Sequence, residues 1–340
     1  MKIGKVDTQN RVFIIAELSA NHANSLQIAK DTIYAAKEAG ADAIKLQTYT
    51  PDWMTIDCKK EDFLIKSELW RGKNLYELYK EAQTPLSWHE ELFSYAKELD
   101  IEIFSSPFSK EAVDFLELLN PIAYKIASFE ITDYELIKYT ASKKRAMIIS
   151  TGAAYLNEIE NVLSICKKEG CTDIALLKCT SSYPAPLSEA NLSTIRDMKK
   201  RFGVEVGFSD HTLGITAPIV AVSLGARIIE KHFILDKNLN TPDKEFSLNP
   251  KEFKEMVKAI RESEELLGEV KYGPSKSARE FTRSLYAIRD IKKEERFSEE
   301  NIKAIRPGYG LHPKYLPDLL EKRAKRDYQK GEPISKEELD

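Results

Sequence analysis

The sequence predicts an α/β protein: a closed (β/α)8 TIM barrel followed by a small C-terminal domain. Three observations carry this reading. Eight short apolar runs rich in β-formers recur between residues 12 and 233, with helix-length amphipathic segments between nearly all of them. Alternating β and α segments build right-handed parallel units, and eight such units in about 265 residues match the usual size of this barrel. Beyond residue 268 the alternation stops and the composition turns polar.

The first run is VFIIAELS (12–19), followed by a helix from about Ser25 to Ala39. The others are AIKLQT (43–48), IEIFSSPF (101–108), AYKIAS (123–128), AMIIST (146–151), IALLKC (174–179), VEVGFSD (204–210) and RIIEKHF (227–233). An open doubly wound sheet is the competing arrangement. It usually offers a Gly-rich turn after its first strand, and AELSANHANS contains no glycine. The second connection, 49–87, is long and falls on the C-terminal side of a strand, so it reads as a partial lid; the next helix starts near Trp88. A last helix over 250–267 ends a barrel domain spanning 1–268. A Gly/Pro-containing linker follows at 269–283, then a small domain at 284–340. That domain carries an internal echo: DIKKEERFSEENI (290–302) and DYQKGEPISKEEL (327–339) share a D-x-x-K-x-E-x-[FI]-S-x-E-x-[IL] pattern. Each copy ends in a Ser-led helix start, and Ser335 with Glu338 has capping-box spacing. A domain of about 60 residues is marginal alone and should pack on something.

Composition narrows the function classes. The chain of 340 residues is 42% hydrophobic and 31% charged, with 51 basic and 54 acidic residues and a net charge of −3. That balance gives no reason to expect nucleic acid or an acidic membrane as partner. No apolar run is long enough to span a bilayer, and the N-terminus lacks a signal-peptide layout. Cys58, Cys166, Cys171 and Cys179 form no CxxC pair and no zinc-finger spacing, so they read as reduced structural thiols of a cytoplasmic protein.

The chemistry is signalled by polar residues at the ends of apolar strands. Strand side chains alternate in direction. Lys45 and Gln47 therefore share a face of the second run, Lys125 and Ala127 of the fourth, and Lys178 and Thr180 of the sixth. With these faces inward, three ammonium groups meet at the barrel top, which is tolerable only if an anion such as a phosphate or carboxylate fills the space. In the eighth run Glu230 and His232 share a face, so Lys231 points the other way. Other runs end in Glu17, in Ser150-Thr151-Gly152, and in Ser209 and His211 on one face. His211 and His232 come from adjacent strand ends and suit a divalent metal, with water and substrate oxygens completing the shell. Hydrogen-bonded rim histidines are the alternative, as is simple pairing of Glu17 and Glu230 with the lysines. His22 is expected near substrate and His89 on a helix surface, while His312 takes no metal role.

AELSANH, KLQTY, FSSPF, YKIAS, STG, KCTSSYP, FSDHT and EKHF occur in this order, and the stretch is similar to the sialic acid synthase family. IRPGYG and its surroundings resemble that family's SAF, or antifreeze-like, domain. The likeness covers essentially the whole chain. It implies condensation of phosphoenolpyruvate with an amino-sugar aldehyde to give a nonulosonic acid. It also implies that Lys45, Lys125, Ser128, Ser150, Ser181 and Ser209 hold phosphoenolpyruvate, and that His211 and His232 bind a divalent metal cation, Mn²⁺ first and Co²⁺ or Mg²⁺ as substitutes. Glu17, Gln47, Glu130, Tyr183, Glu230 and Asp243 would line the sugar and water sites, with Glu17 first in line to activate the water. Arg306 would reach the partner's barrel in a domain-swapped homodimer. Two departures stand out: Ser106 replaces a frequent Thr, and Ser181 stands where some members have Asn. AELSANH, KLQTYTPD, TPLSWHEELF and KIASFEITD look most like the pseudaminic acid synthase branch, whose sugar is 2,4-diacetamido-2,4,6-trideoxy-altrose. That sugar lacks a 6-hydroxyl and carries a second acetamido group, so an apolar pocket would suit it. The same chemistry on another sugar gives neuraminic or legionaminic acid. A Schiff-base aldolase using one of Lys45, Lys125 or Lys178, and a non-catalytic sugar-binding protein, are the rival readings.

Overall fold

The computed structural model describes residues 1–66, 72–275 and 277–340. The parts of the expected lid and linker at 67–71 and 276 lie outside them. The chain divides into two compact units, Met1–Gly268 and Glu269–Asp340.

In the first unit a short antiparallel hairpin, β1 (Lys2–Ile3) and β2 (Val6–Asp7), precedes the barrel. The barrel strands are β3 (Phe13–Glu17), β4 (Ala43–Thr48), β5 (Glu102–Pro107), β6 (Ala123–Ile126), β7 (Ala146–Ser150), β8 (Ile174–Cys179), β9 (Glu205–Asp210) and β10 (Ile228–His232). They pair in parallel in sequence order, and β10 closes on β3 through pairs such as Glu230 with Ile15. The helices are α1 (Leu26–Glu38), α2 (Pro51–Met54), α3 (Leu75–Ala82), α4 (Leu86–Glu98), α5 (Lys110–Leu118), α6 (Tyr134–Ser142), α7 (Leu156–Lys168), α8 (Thr194–Phe202), α9 (Thr216–Ser223) and α10 (Pro250–Leu267). Helix α1 shows why they form: Ser25 caps it by accepting from Ile28 N, and Ala29, Thr32, Ile33 and Ala36 make one buried stripe.

Two apolar layers hold this unit. The outer one joins helices to strands through residues such as Ile14, Ile33, Leu176 and Ile229. The inner one fills the barrel with Phe13, Ile15, Ala43, Phe104, Ile148, Ala175, Leu177 and Ile228, and Ile3 of the hairpin packs into it from the N-terminal end. Each large side chain so buried contributes about 1.5–3 kcal/mol. With that end filled, the barrel offers its interior only at the C-terminal ends of the strands.

Strand phase corrects one expectation. In β8 the inward residues are Ala175 and Leu177, whereas Ile174 and Leu176 belong to the outer layer. Lys178 therefore points away from the barrel axis, its Nζ donating to the Cys179 carbonyl at 2.7 Å. Both faces of a parallel barrel strand are apolar, so its pattern does not reveal which face is inward. Lys231 does point outward as expected, into a sealed ion pair with Asp210 at 2.6 Å.

In the second unit β11 (Ser284–Ala287) pairs antiparallel with β12 (Ile302–Ile305), and α11 (Leu316–Leu320) follows. Leu285, Ile291, Phe297, Leu319, Tyr328 and Ile334 form its core. The two halves of the sequence echo meet here, Ile291 bridging Tyr328. The expected capping box is absent. Ser335 Oγ accepts from Glu337 N at 3.2 Å, while buried Glu338 accepts from the Tyr328 hydroxyl (2.8 Å) and Lys325 N (3.1 Å). The turn at Lys336–Glu338 is a single 3₁₀ turn, too short for the box geometry.

Candidate active site

The C-terminal ends of the barrel strands surround a cavity of about 390 Å³. Lys45 and Gln47 of β4, Lys125 of β6, Ser150 of β7, Ser209 of β9, and Glu230 and His232 of β10 line it, with Ser128, Glu130, Ser181, Tyr183, His211 and Asp243 from the turns beyond. A larger cleft of about 830 Å³ opens beside the N-terminal ends of β8 and β9. Its Arg227 is already spent on the carbonyls of Thr8 and Gln9, and it holds no buried constellation of acid, base and metal-type side chains. The smaller cavity is the chemical one.

At its floor lie four sealed charges. Lys45 Nζ sits 2.7 Å from Glu17 Oε2 and 3.4 Å from Glu230 Oε1, and donates to Ser106 Oγ at 3.3 Å. Lys125 Nζ has Glu230 Oε1 at 3.6 Å, and Ser209 Oγ donates to that same oxygen at 3.0 Å. Burial works against ionised Glu230, but the ammonium groups of Lys125 and Lys45 outweigh it and hold its carboxyl below the ordinary range. Burial pushes Glu17 up, with Lys45 opposing and Glu230 adding to the rise. Lys45 stays charged, because Glu17 and Glu230 outweigh its burial. Burial pulls Lys125 down, with Glu230 opposing. Lys45 thus has two carboxylate partners, and Lys125 has one at longer range.

The expected gathering of three lysines is therefore two. Glu17 and Ser106 are fully buried and touch residues that line the cavity: Glu17 pairs with Lys45 and accepts from Gln47 Nε2 at 3.1 Å, and Ser106 Oγ accepts from Lys45 Nζ. Glu130 does face the cavity, and burial, only partly offset by Lys125, pushes its carboxyl up to about 7.

Hydroxyls ring the space next to Lys125. Ser128 Oγ accepts from Gly152 N at 3.1 Å, and buried Ser150 Oγ has no hydrogen-bond partner among the described residues. A Cβ at Gly152 would stand 2.4 Å from Ser181 Oγ and 3.0 Å from Ser128 Oγ, so only glycine lets these hydroxyls and the backbone N–H converge.

The two imidazoles lie together, ring centroids 5.3 Å apart. Buried Phe246 packs against both, and Tyr183 stacks on His211 at 4.5 Å. Burial and the nearby cations His211, Lys45, Lys231 and Lys125 hold His232 well below its ordinary pKa, hence neutral, and its Nδ1 has no hydrogen-bond partner. His211 Nδ1 donates to the Thr180 carbonyl at 3.0 Å, which aims the ring and leaves Nε2 as the lone-pair nitrogen. Burial opposes charge on His211, but Cys179 and that carbonyl raise its pKa, so a cation at Nε2 competes with a proton. The donor set fits a divalent cation held by two imidazoles, His232 already neutral and His211 giving up its proton on binding. Among the described residues no cluster of three or more His, Cys, Asp or Glu forms a complete protein cage, so the remaining positions fall to oxygens in the cavity.

Two histidines lie elsewhere than expected. His22 is fully buried against Trp88, away from the cavity. His89 is not on a surface but buried, its Nε2 2.9 Å from Thr48 Oγ1. Arg306 belongs to the second unit, where it is exposed after β12.

Sequence reasoning missed Ser19, Cys179, Phe246 and an apolar wall. Ser19 takes φ +46°, a left-handed conformation costing about 1–3 kcal/mol in a non-glycine residue, and donates to Asp243. No pattern announces a strained turn without glycine. The wall comes from the 49–87 connection: Met54 of α2, Ile65, and Leu75, Leu78 and Tyr79 of α3 line the cavity over Tyr49, whose ring meets Tyr79 and Phe108.

Among the described residues no helix is long and apolar enough to cross a membrane. Comparison with known proteins gives matches across the chain. The model of the NeuB family matches residues 32–272, and that of the SAF domain matches 282–340. The chain is 51% identical to a pseudaminic acid synthase of Campylobacter jejuni subsp. jejuni serotype O:23/36, with 100% of each chain covered. It is 48% identical to a pseudaminic acid synthase of Helicobacter pylori, covering 96% of this chain and 97% of that one. Among solved structures it is similar to an N-acetylneuraminic acid synthetase from Leptospira borgpetersenii in complex with citrate, with a TM-score of 0.73, 34% identity, and coverage of 82% of this chain and 94% of that one.

Proposed function

The chain belongs to the NeuB family, and from that premise we propose that it is a transferase joining phosphoenolpyruvate to 2,4-diacetamido-2,4,6-trideoxy-altrose, giving pseudaminic acid and phosphate. The observation that carries this is the cavity floor: two buried lysines and a ring of hydroxyls stand beside two imidazoles in one space of about 390 Å³. Such a floor suits a small, multiply charged anion on one side and a carbonyl on the other.

Each residue then has a physical task. Lys125, the less compensated lysine, takes the anion's charge, and Ser128, Ser150, Ser181, Ser209 and the Gly152 N–H fix its oxygens. Lys45, clamped by Glu17 and Glu230, holds the floor rigid and offsets their negative charge beneath the anion. His211 and His232 would hold the divalent cation, with Mn²⁺ the first choice. When bound there it supplies Lewis acidity toward the aldehyde oxygen. Gln47, Tyr183, Asp243 and Glu130 face the sugar. Carbon–carbon bond formation at C3 of phosphoenolpyruvate leaves positive charge at C2, and water adds there before phosphate departs by C–O cleavage. Glu230 is ionised but too weak a base, and it orients that water; Glu130, near neutrality, takes its proton.

The protein partner is a second copy of this chain, with Arg306 of one protomer reaching the cavity of the other. Exposed apolar side chains on four successive connections beyond β6–β9, Phe129, Tyr155, Leu187 and Leu213, support a cover over that face. The test is incubation with phosphoenolpyruvate and a panel of acetamido sugars, reading product mass and released phosphate. The diacetamido altrose should give product and phosphate in equal amounts, abolished by EDTA and restored by Mn²⁺. Absence of phosphate release with every sugar, or borohydride trapping of a lysine adduct with full activity in EDTA, would replace this reading with one of its rivals.

A further inference from the structure

The cavity is chemically two-sided. Around β6–β10 its wall is charged and hydroxylic, but above Lys45 and Gln47 of β4 it turns mainly apolar, with the Tyr79 ring among aliphatic side chains, and that half is built by the 49–87 connection rather than by the barrel. Met54, Ile65, Leu75 and Leu78 form this half. The described residues of this connection are tied together. Asn74 and Glu77 close a capping box on α3, Leu64 bridges Asn74, and Tyr79 packs edge-on to Tyr49. A wall of four aliphatic side chains facing a polar floor does nothing for phosphoenolpyruvate, whose groups are all polar except one methylene.

We propose that Met54, Ile65, Leu75 and Leu78 are the residues by which this enzyme selects its sugar, receiving the C6 methyl and an acetamido methyl and leaving a 6-hydroxyl with no hydrogen-bond partner. This rests on the substrate reading given above. An apolar pocket gains by desolvating each methyl and rejects a hydroxylated analogue through the unmet polar group, an effect of about 10–200-fold in kcat/KM. The anion half is untouched by such a choice, so selection appears in the sugar's parameters alone.

The experiment compares 2,4-diacetamido-2,4,6-trideoxy-altrose with its 6-hydroxylated counterpart, in the full-length enzyme with Mn²⁺, for the wild type and two near-isosteric variants, Met54→Gln and Leu75→Asn. Both positions are partly exposed, so the changes do not bury a new polar group. Wild type should prefer the 6-deoxy sugar by about 10-fold or more. At least one variant should shrink that ratio by about 10-fold while the KM for phosphoenolpyruvate stays within about 2-fold. An equal loss on both sugars in both variants marks the wall as lid packing only and overturns the inference. If the wild type turns over neither sugar, the substrate reading itself falls, and the inference with it.

Discussion

Lys125 and Glu130, five residues apart at the end of one strand, carry opposite tensions. Lys45 can spare no charge, because two carboxylates hold it within 2.7 and 3.4 Å. Lys125 shares Glu230 at 3.6 Å and keeps charge for an incoming anion. Lys125→Met should therefore raise the KM for phosphoenolpyruvate and cut kcat/KM by about 100-fold or more, with the thermal midpoint little changed, because Glu230 keeps Lys45 as partner. Steady-state kinetics and a melting curve on the same sample check this. Glu130 has its carboxyl raised from 4.5 to about 7 in the folded state, by burial first. A raised carboxyl favours folding at low pH, and the benefit is lost as pH climbs through the folded value. Glu130→Gln should thus be nearly neutral for stability at pH 4.5 and stabilising at pH 8 by up to about 3 kcal/mol, read by urea unfolding at both. The same change should remove the rise in rate through about pH 7, because the proton acceptor is gone. The presence of Glu130 and the lysines at strand ends was legible in the sequence, since charge in an apolar run is conspicuous. How the carboxylates pair was not: Glu17 and Glu230 both meet Lys45, and only the register of β3 with β4 and β10 brings them together.

At the level of elements, the eight strands were visible because each is buried on both faces and written in β-formers bounded by polar turns. That same double burial hides strand phase, which is why Lys178 was expected inside and lies outside. The 49–87 connection was visible only as length. Helix α2 has four residues, and α3 owes its start to Asn74 rather than to a long amphipathic pattern. Asn74 Oδ1 accepts from Glu77 N at 2.8 Å, and Glu77 returns the bond to Asn74 N at 3.3 Å. Asn74→Ala should cost α3 about 1 kcal/mol, a factor of about 5 in local opening. Hydrogen exchange should quicken across Leu75–Ala82 while the barrel strands stay protected. The sugar KM should rise and the phosphoenolpyruvate KM should not, because the anion half of the cavity rests on other elements.

For the whole molecule, the barrel carries the two imidazoles and the second unit carries Arg306, and the proposed domain-swapped homodimer would join them across protomers. Leu266, Val270 and Tyr272 beside the linker expose 86%, 93% and 96% of their surface, apolar area that a second protomer would cover. Mixing two inactive proteins decides the matter. Arg306→Ala disables the donated arm, and His211→Ala disables the receiving barrel. Unfolded and refolded together in equal amounts, random pairing makes half of the dimers mixed. Each mixed dimer holds one site with both defects and one with neither, so about a quarter of wild-type activity should return. Either variant refolded alone should stay inactive. If each site is instead completed within its own chain, every site in the mixture carries a defect and no activity returns, whatever the ratio. Size-exclusion mass on the mixture keeps the outcomes apart: a dimer without recovered turnover rejects the swapped arm, and a monomer rejects the homodimer itself.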